Sequence, residues 1–295
     1  MLERAPAPLL VLVAIASVQT GSAVARTLFD QVGAPGVTLL RLGLSSLLLL
    51  AVLRPRPWRW SPQARRASVL LGLALAGMNL VFYLAIATVP LGVAVTVEFV
   101  GPLLVALVQT RRTVDGLWVL LAGGGVALLG LGAGGPGSAP LSGLALALLA
   151  GLFWGGYILA SARVGQLVPG QGGLSVALAV AALVVLPVGA PGLLAVDDPS
   201  VLPALLLGGA AVAVLSSVLP YSFELAALRR IPTRVFGVLM SLEPAAAALA
   251  GLVVLGQRLG ARELTALVLV SLASAGVTLS SRERRRDEPP VQPLE

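Results

Sequence analysis

Cysteine, histidine and lysine are absent from this 295-residue chain, and charged residues of all kinds make up only 11% of it. Without cysteine, the chain has no disulfide, thiol nucleophile or thiolate metal ligand. Without histidine, it lacks the side chain that most often binds metals and carries protons near neutral pH. We therefore expect no metal site, no cofactor and no membrane-embedded enzyme chemistry.

Apolar residues take the place of the missing charges. Hydrophobic residues account for 57% of the chain, and 34 glycines add to them. A soluble domain carries about a quarter charged residues, and one of this length has too little interior to bury so much apolar surface. These proportions exclude an ordinary soluble enzyme and a disordered protein. They also exclude a nucleic-acid partner, because the arginines are dispersed among apolar runs.

Ten apolar runs divide the sequence. A helix that crosses a bilayer needs about 20 apolar residues, and cutting the chain at charges and at Pro/Gly clusters leaves ten segments of roughly that length. These segments are 9–25, 35–53, 67–87, 91–108, 116–132, 141–161, 173–188, 201–225, 235–255 and 264–281. The sequence thus predicts an all-α polytopic membrane protein with ten transmembrane helices in a lipid bilayer.

The arginines predict the orientation of these helices, because cytoplasmic loops carry an excess of Arg and Lys. With the N-terminus inside, 16 of the 20 basic residues fall in cytoplasmic segments. Only Arg26, Arg258 and Arg262 fall in outer loops. Both termini are therefore predicted to face the cytoplasm, with the protein in a bacterial inner membrane. Residues 282–295, which mix both charges with three prolines, are predicted to be a disordered cytoplasmic tail.

A proline pair with the same spacing occurs in each half of the chain. Pro90 precedes Pro102 by 12 residues, as Pro232 precedes Pro244. This spacing predicts two repeats of five helices, at 9–132 and 141–281. Because five is odd, the repeats must enter the membrane in opposite orientations. Such inverted repeats are typical of secondary transporters, whose substrate site lies between the repeats near the membrane midplane.

Three charged residues are predicted deep in the membrane, where each costs about 2.5–3.5 kcal/mol on insertion scales. From the 1.5 Å rise per residue, Glu98 and Glu243 lie roughly 12 and 13 Å from the ends of their helices, near the midplane. Arg41 lies at a depth where it can pair with Glu98. The three groups either line a substrate pathway or form a buried ion pair that fixes packing, unless Arg41 extends to the outer headgroups. Glu224, near two arginines, is interpreted as a charge at the inner interface.

Prolines inside helices predict free hydrogen-bond acceptors. Because proline has no N–H, Pro102 frees the carbonyl of Glu98 and Pro244 frees that of Met240. Each half would then offer a bare carbonyl beside a carboxylate, a set suited to an ammonium group or a proton; a simple packing kink is the alternative. The other polar and aromatic side chains assigned to the pathway are Gln19, Asn79, Tyr83, Trp154, Tyr157 and Tyr221.

Four stretches resemble the drug/metabolite transporter superfamily, and most of all its EamA-type branch, which includes the inner-membrane threonine/homoserine exporters. These stretches are 32–42, 77–106, 111–122 and 216–256, and the most specific parts are VPLGVAVTVEFVGP and the segment from PTRVFG to SLEP. The resemblance implies two inverted EamA-like repeats, export driven by the proton gradient, and roles for Arg41, Glu98 and Glu243 with Pro244. Many members carry Gly-Glu where this chain has Gly256 and Gln257, so a carboxylate at the outer rim is missing here.

These observations together predict a secondary transporter that exports small metabolites, with amino acids such as threonine and homoserine as the first choice. Protons are the expected coupling partner, carried by Glu98 or Glu243. Two alternatives stay open from the sequence: export of another metabolite or a drug-like cation, and a passive channel.

Overall fold

The computed structural model describes residues 6–110, 115–131, 139–228 and 230–280, and within these ranges the regular elements are all helical. The predicted tail, 282–295, lies outside the described residues. The α-helices are α1 (Ala7–Thr27), α2 (Phe29–Leu53), α3 (Pro62–Ile86), α4 (Leu91–Glu98), α5 (Val100–Thr110), α6 (Asp115–Leu131), α7 (Leu141–Leu167), α8 (Gly172–Leu194), α9 (Leu202–Ala213), α10 (Leu219–Leu228), α11 (Thr233–Met240), α12 (Glu243–Leu255) and α13 (Ala261–Ser280).

These helices form ten apolar segments, because three pairs of them are single segments with an interruption: α4 with α5, α9 with α10, and α11 with α12. Eight segments are long and apolar enough to cross a membrane, and two shorter apolar ones cover Leu91–Ala106 and Gly116–Leu131. The prediction of an all-α chain with ten membrane helices is confirmed. The protein is a multi-pass membrane protein.

Prolines and one glycine set several of the helix starts. Pro90 and Pro232 occupy the N-cap positions of α4 and α11 with nearly the same backbone angles, φ −56° and ψ 144° against φ −57° and ψ 140°. In α2, Gly33 has φ +70°, a left-handed conformation that glycine adopts without strain, and the regular helix runs on from Pro35. This accounts for the predicted start at residue 35, although the element begins at Phe29.

The interruptions in α4/α5 and α11/α12 lie next to the intrahelical prolines. The first falls at Phe99, three residues before Pro102, and the second at Ser241 and Leu242, just before Pro244. Since proline cannot donate to the carbonyl four residues earlier, the sequence creates a break at the same place in both halves. The matching caps and breaks agree with the proposed alignment, and the division into repeats stays a prediction.

Small residues let the helices approach closely at the crossing of α5 and α7. A Cβ on Gly101 would overlap the backbone of Gly151, and a Cβ on Gly151 would overlap the carbonyl of Glu98. Gly155 continues the contact, with its Cβ position 3.1 Å from Val105 Cγ2. Close approach at glycine is a common basis of helix association in membranes. By contrast, the Cβ positions of Gly124 and Gly130 on α6 meet no atom within 4 Å.

The apolar core is larger at one end of the bundle than at the other. At the end where α3 stops and α4 starts, which we call the α3–α4 end, buried residues from most of the helices form one cluster that includes Phe29, Ile86, Leu91 and Leu144. Toward the opposite end, the buried residues separate into smaller clusters. The bundle is therefore packed shut at the α3–α4 end.

Candidate functional site

A cavity of about 480 Å³ lies inside the bundle, lined by residues of both halves of the chain. Its volume falls within the range of about 300–1,000 Å³ that is usual for small-molecule sites. It extends away from the α3–α4 end toward Ser161 on α7 and Thr278 on α13, each within two turns of the end of its helix. The fold thus closes the cavity at the α3–α4 end.

Nine of the eleven residues predicted for the pathway line this cavity. They are Gln19, Arg41, Asn79, Glu98, Pro102, Trp154, Tyr157, Tyr221 and Glu243. The other two, Tyr83 and Pro244, are buried behind the wall. The structure gives the location of these residues in the cavity wall, and their roles in transport stay predictions.

Arg41 is buried and holds two neutral hydrogen-bond acceptors. Its Nη1 donates to the Tyr83 hydroxyl at 3.2 Å, and its Nη2 donates to the Ser216 carbonyl at 2.9 Å. The guanidinium also lies 5.5 Å from the centre of the Tyr83 ring, within range of a cation–π interaction. The expected ion pair with Glu98 does not form. Among the described residues, Arg41 makes no ion pair, and the side-chain ion pair found there joins Arg26 and Asp30 at 4.0 Å.

The Ser216 carbonyl is available because the helix is irregular there. Val214–Val218 form a π-helical turn between α9 and α10, and Pro220, four residues after Ser216, has no N–H to donate to it. Such turns are frequent at functional sites. Sequence reasoning identified the carbonyls freed by Pro102 and Pro244 but missed this one. The same rule applied to Pro220 would have found it.

Helix α1 supports this π turn from the other side. The Ser17 hydroxyl donates to the Leu215 carbonyl at 2.7 Å, and Gly21, one turn later, leaves room for the Ser216 hydroxyl. Successive carbonyls of the turn are thus held by α1 and by Arg41 of α2. The guanidinium is fixed by groups that are far apart in the sequence.

Three carboxyl side chains enter the cavity wall: Glu98, Glu224 and Glu243. Glu98 and Glu243 are buried, with 7% and 5% of their surfaces exposed. Glu224 was interpreted as an interfacial charge, but α10 carries it into the wall beside Tyr221. In the described part of the chain, these groups do not form a cluster of three that could hold a metal ion.

The carbonyl of Glu98 packs against helix α7. It lies against Gly151 of α7, so closely that a Cβ there would overlap it. The expectation that Pro102 frees this carbonyl for a ligand stays a prediction. The freed carbonyl serves the close packing of α7, which was the alternative interpretation of the proline.

Amide and aromatic side chains complete the wall. Asn79 donates from Nδ2 to the Leu75 carbonyl at 2.8 Å, which leaves its amide oxygen as an acceptor. Phe99, at the break between α4 and α5, meets Trp154 edge to face with ring centres 5.2 Å apart. The described part of the wall therefore combines the Arg41 cation, several carboxyls and amides with a large apolar and aromatic surface.

Two polar contacts reinforce the closed α3–α4 end. Arg26 of α1 donates from Nε to the Ile86 carbonyl at 3.1 Å, at the C-terminus of α3. The Gln257 side chain accepts a hydrogen bond from the Leu91 N–H at 2.9 Å, at the N-terminus of α4. Gln257 stands where the resemblance led us to expect a glutamate, and here it caps a helix.

Comparison with known proteins identifies the family. The chain is 46% identical over 279 residues to the threonine/homoserine exporter RhtA of Salmonella typhimurium strain LT2, covering 93% of this chain and 92% of that protein. It is also 46% identical over 279 residues to RhtA of Escherichia coli strain K12, covering 94% and 92%. Residues 141–279 match the EamA-like transporter family. The chain belongs to the EamA-like transporter family.

A solved crystal structure extends the comparison of this EamA-like transporter to three dimensions. It is 22% identical in sequence, aligns with a TM-score of 0.61, and covers 96% of this chain and 99% of the other. At that identity the likeness concerns the fold alone. The resemblance drawn from the four sequence stretches is confirmed at the level of the family.

Proposed function

We propose that this EamA-like transporter exports small amino acids such as threonine and homoserine from the cytoplasm of a bacterial cell, in exchange for protons. The relatives named above are threonine/homoserine exporters, and nearly the whole length of this chain aligns with them. The observation that carries the proposal is the composition of the cavity, in which a guanidinium and carboxyl groups share one wall.

An amino acid is a zwitterion, so its site needs a cation for the carboxylate and an anion for the ammonium group. Arg41 supplies the cation, since its planar fork of donors suits a carboxylate. Glu98, Glu224 and Glu243 supply anions. The surplus of carboxyls is the one observation that favours a drug-like cation as a second candidate substrate.

Proton exchange is supported by the same carboxyl groups. The chain has no histidine, so in the described cavity wall the carboxyls are the groups suited to take up and release a proton. Burying an ionised carboxyl without a partner is costly, so a buried glutamate that loses the substrate ammonium favours protonation. Alternating between substrate and proton on Glu98 or Glu243 would couple outward export to inward proton flow.

The arrangement of helices supports two inverted repeats at 9–132 and 141–281. If the two halves are repeats, each membrane segment corresponds to the segment five places further along the chain. The pair formed by α3 and α7 then corresponds to the pair formed by α1 and α10, and both pairs are in contact. The pairs α2 with α8, α4 with α12, and α6 with α13 map onto themselves. This pattern is what a two-fold axis in the membrane plane produces.

Both termini are proposed to be cytoplasmic, from the distribution of arginines. The absence of cysteine makes this easy to test with single cysteines and a membrane-impermeant maleimide. We expect Asp198→Cys to be labelled in intact cells and Trp58→Cys to be labelled only after lysis. Both positions are exposed. The reverse pattern would place the termini outside.

The function is tested by expression and by reconstitution. Cells that overproduce the protein should tolerate toxic analogues of threonine and homoserine, and Arg41→Ala should abolish that tolerance at equal protein level.

In liposomes, labelled threonine should move against its gradient when the extracellular side is acidified. Flux that ignores a pH gradient would rule out proton exchange, purely downhill flux would indicate a channel, and transport of a cationic dye without threonine transport would favour the second candidate.

A further inference from the structure

Three polar atoms on side chains of the cavity wall have no hydrogen-bond partner within the described part of the chain. They are Nε of Arg41, a donor, Oε1 of Gln19, an acceptor, and the hydroxyl oxygen of Ser216. All three side chains are more than nine-tenths buried, and Arg41 and Gln19 carry the larger polar groups. An unpartnered buried polar atom costs about 1–3 kcal/mol, so each such atom in a native structure calls for an explanation. A ligand that supplies partners to Arg41 and Gln19 is one.

The side chains of Arg41 and Gln19 line the same cavity as Ser216 of the π turn. Arg41 donates to the Ser216 carbonyl, while Ser17, two residues before Gln19, donates to the Leu215 carbonyl. Both helices that carry them, α1 and α2, thus contact successive residues of Val214–Val218, and both Arg41 and Gln19 belong to the cavity wall.

The chemistry of each side chain selects one part of an amino acid. The guanidinium uses two of its five N–H donors on neutral acceptors, which leaves three for a carboxylate. The substrate ammonium binds better to a carboxyl of the wall than to an amide, because charge-assisted hydrogen bonds are roughly twice as strong as neutral ones. What remains for the neutral acceptor of Gln19 is a neutral donor, and a side-chain hydroxyl is such a group.

We propose that Gln19 selects substrates with a side-chain hydroxyl, while Arg41 binds the α-carboxylate of the same molecule. The inference rests on the proposed function and deepens it, because it predicts that hydroxy amino acids are preferred over apolar ones of the same size. Apolar walls discriminate weakly between isosteres, whereas a site built to bind a hydroxyl rejects an analogue that lacks it.

One analogue tests the hydroxyl for both candidate substrates. Replacing the hydroxyl of threonine or of homoserine by hydrogen gives the same molecule, 2-aminobutyrate. Threoninol, in turn, keeps the hydroxyl and ammonium of threonine but lacks the carboxylate. In liposomes that exchange labelled threonine, we expect threonine and homoserine to compete at least about tenfold better than 2-aminobutyrate. Threoninol is expected to compete weakly as well.

Variants assign each preference to a residue. Gln19→Leu is close in size and removes the acceptor, so the preference for threonine over 2-aminobutyrate should fall to about twofold or less. Arg41→Lys keeps the charge and loses Nε, so it should instead reduce the preference for threonine over threoninol in the competition assay. Gln166→Leu makes the same change at an exposed position on α7 outside the cavity, and it should alter neither ratio.

The outcomes separate the inference from the function on which it rests. Threonine exchange with equal competition by 2-aminobutyrate would overturn the inference and leave the proposed function standing. So would a preference that survives Gln19→Leu. Absence of any amino-acid exchange by the wild-type protein would overturn both. If Gln19→Leu fails to transport, the shift in melting temperature that each compound induces in the purified variant measures its preference for threonine over 2-aminobutyrate. Competition by the same compounds in the wild-type protein tests the preference without any variant.

Discussion

Arg41 and Ser216 are 175 positions apart in the chain, yet Arg41 Nη2 lies 2.9 Å from the carbonyl oxygen of Ser216. The bond joins α2 in the first half to the π turn in the second half. It uses a carbonyl that Pro220 leaves without its helical partner. The position of the buried guanidinium thus depends on a proline from the other half of the protein.

Replacing Pro220 by alanine tests this dependence. The new N–H can donate to the Ser216 carbonyl, which favours a regular helix and competes with Arg41 for the same acceptor. We expect the KM for threonine to rise by about three- to tenfold, with little loss of folded protein. This is less than the full loss of a hydrogen bond to a charged group would give, because the N–H only competes with Arg41 for the carbonyl. Threonine exchange in liposomes measures the change.

The matched control for that variant is Pro203→Ala. Pro203 is exposed and lies in the first turn of α9, where a backbone N–H has no helical partner in any case. Its replacement should leave the KM for threonine unchanged. An equal effect of both variants would show that Pro220 matters for the helix as a whole and not for Arg41.

Tyr83 is expected to position Arg41 rather than to touch the substrate. It has no exposed surface, and its hydroxyl accepts from Arg41 Nη1 at 3.2 Å. Tyr83→Phe removes the acceptor and keeps the ring, so the KM for threonine should rise by up to about tenfold while the maximal rate changes little. Exchange kinetics at several threonine concentrations separate the two quantities.

A double-mutant cycle distinguishes positioning from simple loss of stability. If Tyr83 acts through the guanidinium, then Tyr83→Phe should have a much smaller effect in protein that already carries Arg41→Lys. Additive effects would contradict the positioning role. The melting temperature of each variant should be measured alongside.

The sequence predicted the ten helices and nine residues of the cavity wall because these follow from local rules. Apolar length predicts a membrane helix, and a charge placed deep in such a helix, such as Arg41 or Glu243, marks a candidate functional position. The partners of these residues could not be predicted in the same way. Whether Arg41 meets Glu98 or the Ser216 carbonyl depends on helix rotation and on a π turn. The periodic pattern of apolar residues in the sequence indicates neither of them.

Glu224 and the Glu98 carbonyl illustrate the same limit. Glu224 was assigned to the interface from its nearness in sequence to two arginines, but the direction of α10 turns it into the cavity. The carbonyl of Glu98 was correctly predicted to lose its helical partner. Its neighbour, Gly151, belongs to a helix whose contact with α4 and α5 is visible only in the fold.

Gly101 should be intolerant of any side chain. A Cβ there would overlap the Gly151 backbone of α7, which cannot rotate away as a side chain could. We expect Gly101→Ala to destabilise the protein by about 1–3 kcal/mol or more and to lower the yield of folded protein in the membrane. Fluorescence-detected size-exclusion chromatography with a heating series measures this loss.

Gly124 provides the control, because its Cβ position on α6 meets nothing within 4 Å. Alanine has a higher helix propensity than glycine by about 1 kcal/mol, so Gly124→Ala should be neutral or slightly stabilising. Equal losses at both positions would mean that the contact between α5 and α7 is looser than described.

Glu98→Gln and Glu243→Gln test which carboxyl carries the proton. Glutamine keeps the size and hydrogen-bonding capacity but cannot ionise, so the carrier's variant should lose the response to an imposed pH gradient. Its KM for threonine should also rise, because the substrate ammonium loses a charged partner. With an intact carrier, acidifying the extracellular side should accelerate export, since protons then flow inward as substrate leaves. Glu263→Gln, at the start of α13 and away from the cavity, should keep the full response. If both cavity variants also keep it, then the proton travels by another group and the coupling role assigned to these glutamates is wrong.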